Sequence, residues 1–250
     1  MYFSKILGIP NSSYYPRTSF GSACHAANEY AMKTKISGEQ PEIHKMHKIF
    51  QDLFKADIPK INVWADETPE HFLEEGRKSI NDFYYNWVPQ LNPIDSEINF
   101  RIERGEGKLP ITCFADLITG DANGIPDSLW DYKYGRSSRP INYVLNMATY
   151  AYAFRQHYGV EPKSVKFLCA KWYQKTIEGK KFHFFSKHYV VELPITKDWE
   201  QTFFKIYNEV EKGINADIWL PAPDGTGLCK NCGYRLDGHC DVITMEDIEM

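Results

Sequence analysis

The sequence predicts an α/β fold, a mixed β-sheet flanked by three or four helices. Three observations carry this. Apolar residues recur at helical spacing in long segments towards both ends of the chain, while segments in the middle alternate with the period of two that a half-buried strand requires. Between two extended runs, Gly120-Asp121-Ala122-Asn123-Gly124-Ile125-Pro126 supplies turn chemistry and makes them a hairpin. The 250 residues read as a single domain, 1-250, divided into an N-terminal helical part (1-95), a central sheet part (96-195) and a C-terminal helix with a cysteine-bearing tail (196-250).

Residues 1-18, with Pro10, Asn11 and Pro16, form an irregular lead-in. Ser19 suits a helix N-cap, and Phe20, Cys24, Ala27, Tyr30 and Ala31 then mark a buried helical stripe ending at Ser37-Gly38. After Pro41, Ile43, Met46, Ile49, Phe50, Leu53 and Phe54 define a second helix, with His44 and His47 beside its apolar face. Residues 56-67 connect it to a third helix, which starts at Thr68-Pro69 and buries Phe72, Gly76, Ile80 and Phe83; Glu70, Glu74, Glu75, Arg77 and Lys78 are assigned to its wet face. Residues 96-104 alternate as a strand that pairs with the hairpin runs 111-119 and 128-134. Pro140 opens a long apolar helix through Phe154, two strands (165-173 and 181-193) surround an Ile177-Glu178-Gly179-Lys180 turn, and residues 198-213 form an amphipathic helix.

Bulk properties exclude some functions. With no apolar run long enough to span a bilayer and no basic-then-apolar leader at residues 1-10, an intracellular, cytoplasmic location is expected, and six cysteines there serve as thiols or metal ligands. The net charge of -4 carries no global signal for a polyanion. Residues 163-188 are the local exception, with seven lysines against Glu178 alone; a solvated face and a DNA-facing surface both fit.

Two groups of residues carry chemistry. In the hairpin, Asp116 interrupts an apolar run, and Asp131 and Lys133 share one face of the opposite strand while Trp130, Tyr132 and Tyr134 take the other. Neighbouring carboxylates repel unless a cation lies between them, and hard oxygen ligands suit Mg²⁺ or Mn²⁺; the lysine can stabilise charge developing on a phosphate. In the tail, Cys229-Lys230-Asn231-Cys232 followed by Cys240 is a metal-ligand spacing with one vacancy, which His239 can fill for zinc or Cys24 from the far end of the chain.

An aspartate, a short hairpin and Asp131-Tyr132-Lys133-Tyr134-Gly135 resemble the PD-(D/E)XK nuclease superfamily in its RecB-like exonuclease branch. The order across the chain is similar too: Ser19-Phe20-Gly21-Ser22-Ala23-Cys24, a helical histidine, Asp116, Asp-x-Lys, Asn146 four residues before Tyr150 where these nucleases carry Gln-x-x-x-Tyr, and Cys232-Gly233-Tyr234-Arg235 near the end. This resemblance implies a restriction-endonuclease-like core whose termini are joined at a four-iron four-sulfur cluster on Cys24, Cys229, Cys232 and Cys240, as in AddB-like and CRISPR-associated exonucleases. It also implies a Mg²⁺- or Mn²⁺-dependent exonuclease acting on DNA in recombination, repair or processing, with recombination or replication proteins as partners. The implied metal ligands are His47 (His44 in the alternative register), Asp116, Asp131 and the backbone carbonyl of Tyr132, with Glu97 as a further candidate. Lys133, Tyr150 and Asn146 complete the catalytic set. The competing reading is a non-catalytic DNA-binding or scaffolding protein with a zinc knuckle at the C-terminal cysteines.

Overall fold

A computed structural model describes residues 8, 14–135, 144–193, 197–218 and 237. Its elements are α1 (Pro16–Ile36), α2 (Ile43–Asp57), α3 (Pro69–Asp82), β1 (Pro93–Ile102), β2 (Ile111–Gly120), β3 (Pro126–Lys133), α4 (Val144–Tyr158), β4 (Ser164–Ile177), β5 (Lys180–Leu193) and α5 (Lys197–Asn215). The five strands form one sheet in the order β1-β2-β3-β4-β5. All neighbours are antiparallel except β3 and β4, which run parallel and are joined through α4, as a parallel pair requires a crossover.

Each helical start has a local cause. Thr68 caps α3, its Oγ1 accepting from the His71 N–H, with Pro69 in the first turn where a missing N–H costs nothing. The expected cap at Ser19 is corrected by the same principle: α1 begins at Pro16 with an extended Tyr15 before it, and Ser19 is buried one turn inside.

The sheet separates two apolar layers. On one face α1, α2 and α3 pack Phe20, Met46, Phe50 and Phe72 against Leu117, Trp130, Tyr132 and Tyr134. On the other, α4 and α5 pack Met147, Ala151, Phe154 and Phe203 against Ala115, Ile118, Leu129 and Phe167, together with Cys113 of β2 and Cys169 of β4. Gly76 permits the close approach of α3 to α2, since a Cβ there would lie 1.9 Å from the Phe50 ring.

β5 is a sheet edge, and edge strands expose unpaired N–H groups unless something covers them. Here acidic side chains do so. The N–H groups of Lys181, His183, Phe185 and His188 donate to Asp66, Glu67, Glu75 and Asp82, carboxylates on or just before α3. Glu75 is therefore corrected from the wet face of α3: it is 1% exposed and bonded to the β5 backbone, while Glu74 stays outside and pairs with Arg77. A bulge between Lys171 and Trp172, where Ser186 has no partner across the pair, brings both Phe185 and His188 onto the core face.

Candidate metal centre

The register of three strands brings the acids together. Pairs Leu117–Trp130 and Ile118–Leu129 set β2 against β3, so the hairpin carries Asp116 alongside Asp131, and Asp116 Oδ2 accepts the backbone N–H of Tyr132. On the other side of β2, pairs Ser96–Leu117 and Ile98–Ala115 flank Glu97 and put it opposite Asp116. Glu97 has φ 57°, the left-handed region, which costs a non-glycine residue of order 1 kcal/mol. Strain of that kind persists where the surroundings impose it, and here it sits among the acids.

The histidine comes from α1. His25 Nδ1 lies 3.2 Å from Asp116 Oδ1, and ligand atoms of His25, Glu97 and Asp116 all fall within 4.8 Å of one another. The histidine that the structure places beside these acids is thus His25 rather than one on α2. His47 on α2 instead has its Nε2 2.9 Å from Asn81 Oδ1, and His44 is exposed beside Glu42. Gly21, His25 and Glu29, spaced by four on α1, line one wall of an open cleft of about 770 Å³, with Glu97, Lys133 and Tyr134 opposite. That polar stripe beside the buried stripe of the first helix was the available signal for His25; its position next to Cys24 concealed it.

Electrostatics at the centre are those of buried acids crowded together. Burial, and then the charge of Asp116, push Glu97 up to about 7 and also raise Asp131. His25 is pulled down by burial, but its bond to Asp116 and the charges of Asp116, Asp131 and Glu97 outweigh this and leave it raised. Lys133 forms an ion pair with Asp131 and reaches the cleft, its Nζ 5.8 Å from the Phe167 ring centre. From the opposite layer the buried Tyr150 hydroxyl hydrogen-bonds Asp131, and burial together with the two aspartates drives its pKa far up, so it remains a donor. Asn146 stands one turn before Tyr150 on α4 and is exposed.

Arg17 was not anticipated by sequence. It lines the cleft, pairs with buried Glu67 at 2.8 Å and stacks over Trp172 and Phe72 at 4.5 and 5.1 Å. Cys24 faces away from the cleft, fully buried and hydrogen-bonded to Ser79, and burial holds its thiol neutral. Cys229, Cys232, Cys240 and His239, expected to hold a second metal group, lie outside the described residues.

No protein-family profile matches the chain, and no curated protein does. Among solved structures, the chain is similar to a protein from Eubacterium rectale described as a "putative exonuclease", at 12% identity and a TM-score of 0.47 over 97% of this chain and 92% of that one. The likeness is one of general outline. No helix among the described residues is long and apolar enough to cross a membrane.

The donor set fits a hard divalent cation. His25 and Glu97 line the cleft, with the buried carboxylates of Asp116 and Asp131 beside them; three carboxylates and one imidazole nitrogen without a thiolate suit Mg²⁺ or Mn²⁺ rather than softer metals. The same test gives a four-iron cluster no support from Cys24, whose packed, neutral thiol is the only described member of the expected set.

Proposed function

We propose that this protein is a Mg²⁺- or Mn²⁺-dependent nuclease that hydrolyses phosphodiester bonds in DNA, with preference for ends. The observation that carries the reading is the convergence of His25, Glu97 and Asp116 within 4.8 Å, beside Asp131 paired to Lys133. Asp131-Tyr132-Lys133 is thereby not a solvated strand face but one wall of an acidic centre.

His25, Glu97, Asp116 and Asp131 would hold a divalent cation, which would supply Lewis acidity towards a phosphoryl oxygen and lower the pKa of water. The chain's own groups do the rest. Lys133, anchored on Asp131 and partly exposed to the cleft, neutralises negative charge that grows on the phosphoryl oxygens. Tyr150 holds Asp131 in place by its hydroxyl, and the Tyr132 N–H does the same for Asp116, so neither carboxylate reorganises when substrate arrives. The backbone carbonyl of Tyr132 completes the proposed ligand set.

Digestion of end-labelled linear and circular DNA tests this. With Mn²⁺ or Mg²⁺ the linear substrate is degraded and the circle spared; Asp131→Asn lowers the rate about 10²- to 10³-fold, the effect of removing one preorganised electrostatic group. Undiminished cleavage by purified Asp131→Asn protein refutes the assignment.

A further inference from the structure

Beyond the sheet core, β4 and β5 continue as a two-stranded arm in which β4 is exposed from Tyr173 to Ile177, while Phe182 and Phe184 of β5 are half-buried beside His71 of α3. Its two faces differ. Even-numbered residues of β4, among them Leu168, Ala170 and Trp172, turn towards α1 and α3, so the odd-numbered ones face the layer of α4. Along that second face the cross-strand partners are Lys171 with Lys187, Tyr173 with Phe184, and Lys175 with Phe182. Cations and aromatic rings alternate rung by rung, at roughly 6.6 Å per rung.

Several features make this more than a wetted hairpin. Tyr173 is 46% exposed and stacks on Phe184 with centroids 5.5 Å apart and planes at 23°, while Lys175 Nζ lies 5.5 and 5.7 Å from the two rings. Lys171 and Lys187 are both exposed and directly opposite, an arrangement that costs stability, and neither forms an ion pair among the described residues. The face also leads to the metal centre. Lys133 pairs with Cys169 in the parallel β3–β4 register, and Lys171 is the next residue of β4 on the same side.

We propose that this face of the β4–β5 arm is a platform for single-stranded DNA, with a base stacking on exposed Tyr173, which Phe184 and His71 back from beneath, and phosphates meeting Lys171, Lys175 and Lys187, so that one strand is led to the acidic cleft. The proposal names the substrate form of the nuclease reading and rests on it for the direction of the strand. Stacking on an exposed ring flanked by lysines is sequence-tolerant, and it requires unpaired bases.

The test measures binding and chemistry apart. A fluorescein-labelled oligothymidylate is titrated into the full chain in EDTA, and hydrolysis of bis(p-nitrophenyl) phosphate, too small to reach the arm, is followed with Mn²⁺. Tyr173→Ser weakens oligonucleotide binding about 5- to 100-fold, the range for losing one base–aromatic stack. Replacing Lys171, Lys175 and Lys187 by Ser lowers the salt slope of binding by about 2. Both variants keep wild-type hydrolysis of the small diester, and removing the opposed lysines leaves the melting temperature unchanged or higher, so misfolding is visible separately. Wild-type affinity in both variants, no oligonucleotide binding by the wild type, or equal binding of a blunt duplex overturns the proposal. Binding that depends on the arm in a protein unable to hydrolyse either substrate leaves the platform standing and removes the nuclease reading.

Discussion

Glu97 offers the sharpest separation of function from stability. Its left-handed backbone and its place opposite Asp116 both work against the metal-free fold. The shift from 4.5 to about 7 is 2.5 units, nominally about 3.4 kcal/mol at 1.36 kcal/mol per unit. Because the group is about half exposed, solvent screening reduces this to about 1–2 kcal/mol. Glycine at φ 57° relieves about 1 kcal/mol more, partly offset by its larger unfolded-state entropy. Glu97→Gly is therefore expected to stabilise the protein in EDTA by about 2 kcal/mol, raising the melting temperature of a chain this size by about 4–8 °C. Glu97→Gln, which removes charge but keeps the strained backbone, gives roughly half. The size of the gain depends on pH. A carboxyl raised on folding binds more protons folded than unfolded, so its cost is full above about 7 and absent below 4.5; the gain from either variant shrinks over that window. Millimolar Mn²⁺ raises the wild-type melting temperature by mass action and raises that of the variants less, with cleavage lost in parallel. A Glu97→Gly protein that melts lower than wild type in EDTA at pH 8, or that keeps the full Mn²⁺ increment, refutes the placement of Glu97 in the centre.

Three further outcomes follow from the same contacts. His25→Ala abolishes the Mn²⁺-dependent rise in melting temperature, whereas His47→Ala retains it and loses only its bond to Asn81, about 1 kcal/mol by urea unfolding; the reverse pattern restores His47 as the ligand. Glu75→Ala leaves the Phe185 N–H buried and unpaired, costing about 1–3 kcal/mol or about 2–12 °C, and Glu75→Gln recovers part of it in the same melt. Acid stability reports on the buried His188–Asp82 pair: burial lowers His188 despite Asp82, while Asp82, raised by its own burial, ends lowered by the two bonds from His188. Both groups bind fewer protons folded than unfolded. Stability therefore falls as pH drops below 6.5 and again below 3.8, and His188→Gln flattens the first slope in urea midpoints between pH 8 and 5.

Ser79, His188 and Asp82 also show why geometry alone does not make a site. Ser79 Oγ is 3.3 Å from His188 Nε2, and His188 Nδ1 is 2.7 Å from Asp82, the connectivity of a hydrolase triad. The His188 side chain is 1% exposed and ringed by Phe83, Tyr134 and Phe185, so no substrate reaches it. Its work is to fasten α3 to the sheet edge.

The elements were legible because period and turn chemistry are local. Helix spacing in α2 and α3, the Thr68-Pro69 start and the Gly120 to Pro126 turn all act within a few residues, and the hairpin brought Asp116 and Asp131 together with them. What escaped depends on contacts between distant segments. The polar stripe of α1 hints at His25 but does not set it above His47, because its role is fixed by Asp116, ninety-one positions along the chain from 25 to 116. Glu75 looked solvent-facing because its partner, the Phe185 N–H, belongs to an edge that exists only once β5 is last in the sheet.

That edge also explains why the arm can serve as a platform. Four carboxylates fix the N–H groups of Lys181, His183, Phe185 and His188, and α3 thereby grips the arm along the β5 edge, where His71 packs against Phe182 and Phe184. Trp172 and Phe185 anchor one face in the core, with Arg17 stacked over Trp172. On the opposite face Tyr173 and the lysines are left in water, and the Tyr173 ring already stacks on half-buried Phe184, so little ordering remains to be spent on binding. An arm that frayed would scatter the lysines; an arm clamped along its edge holds them in line with Lys133, which is the condition for delivering a strand to the acids rather than merely attracting it.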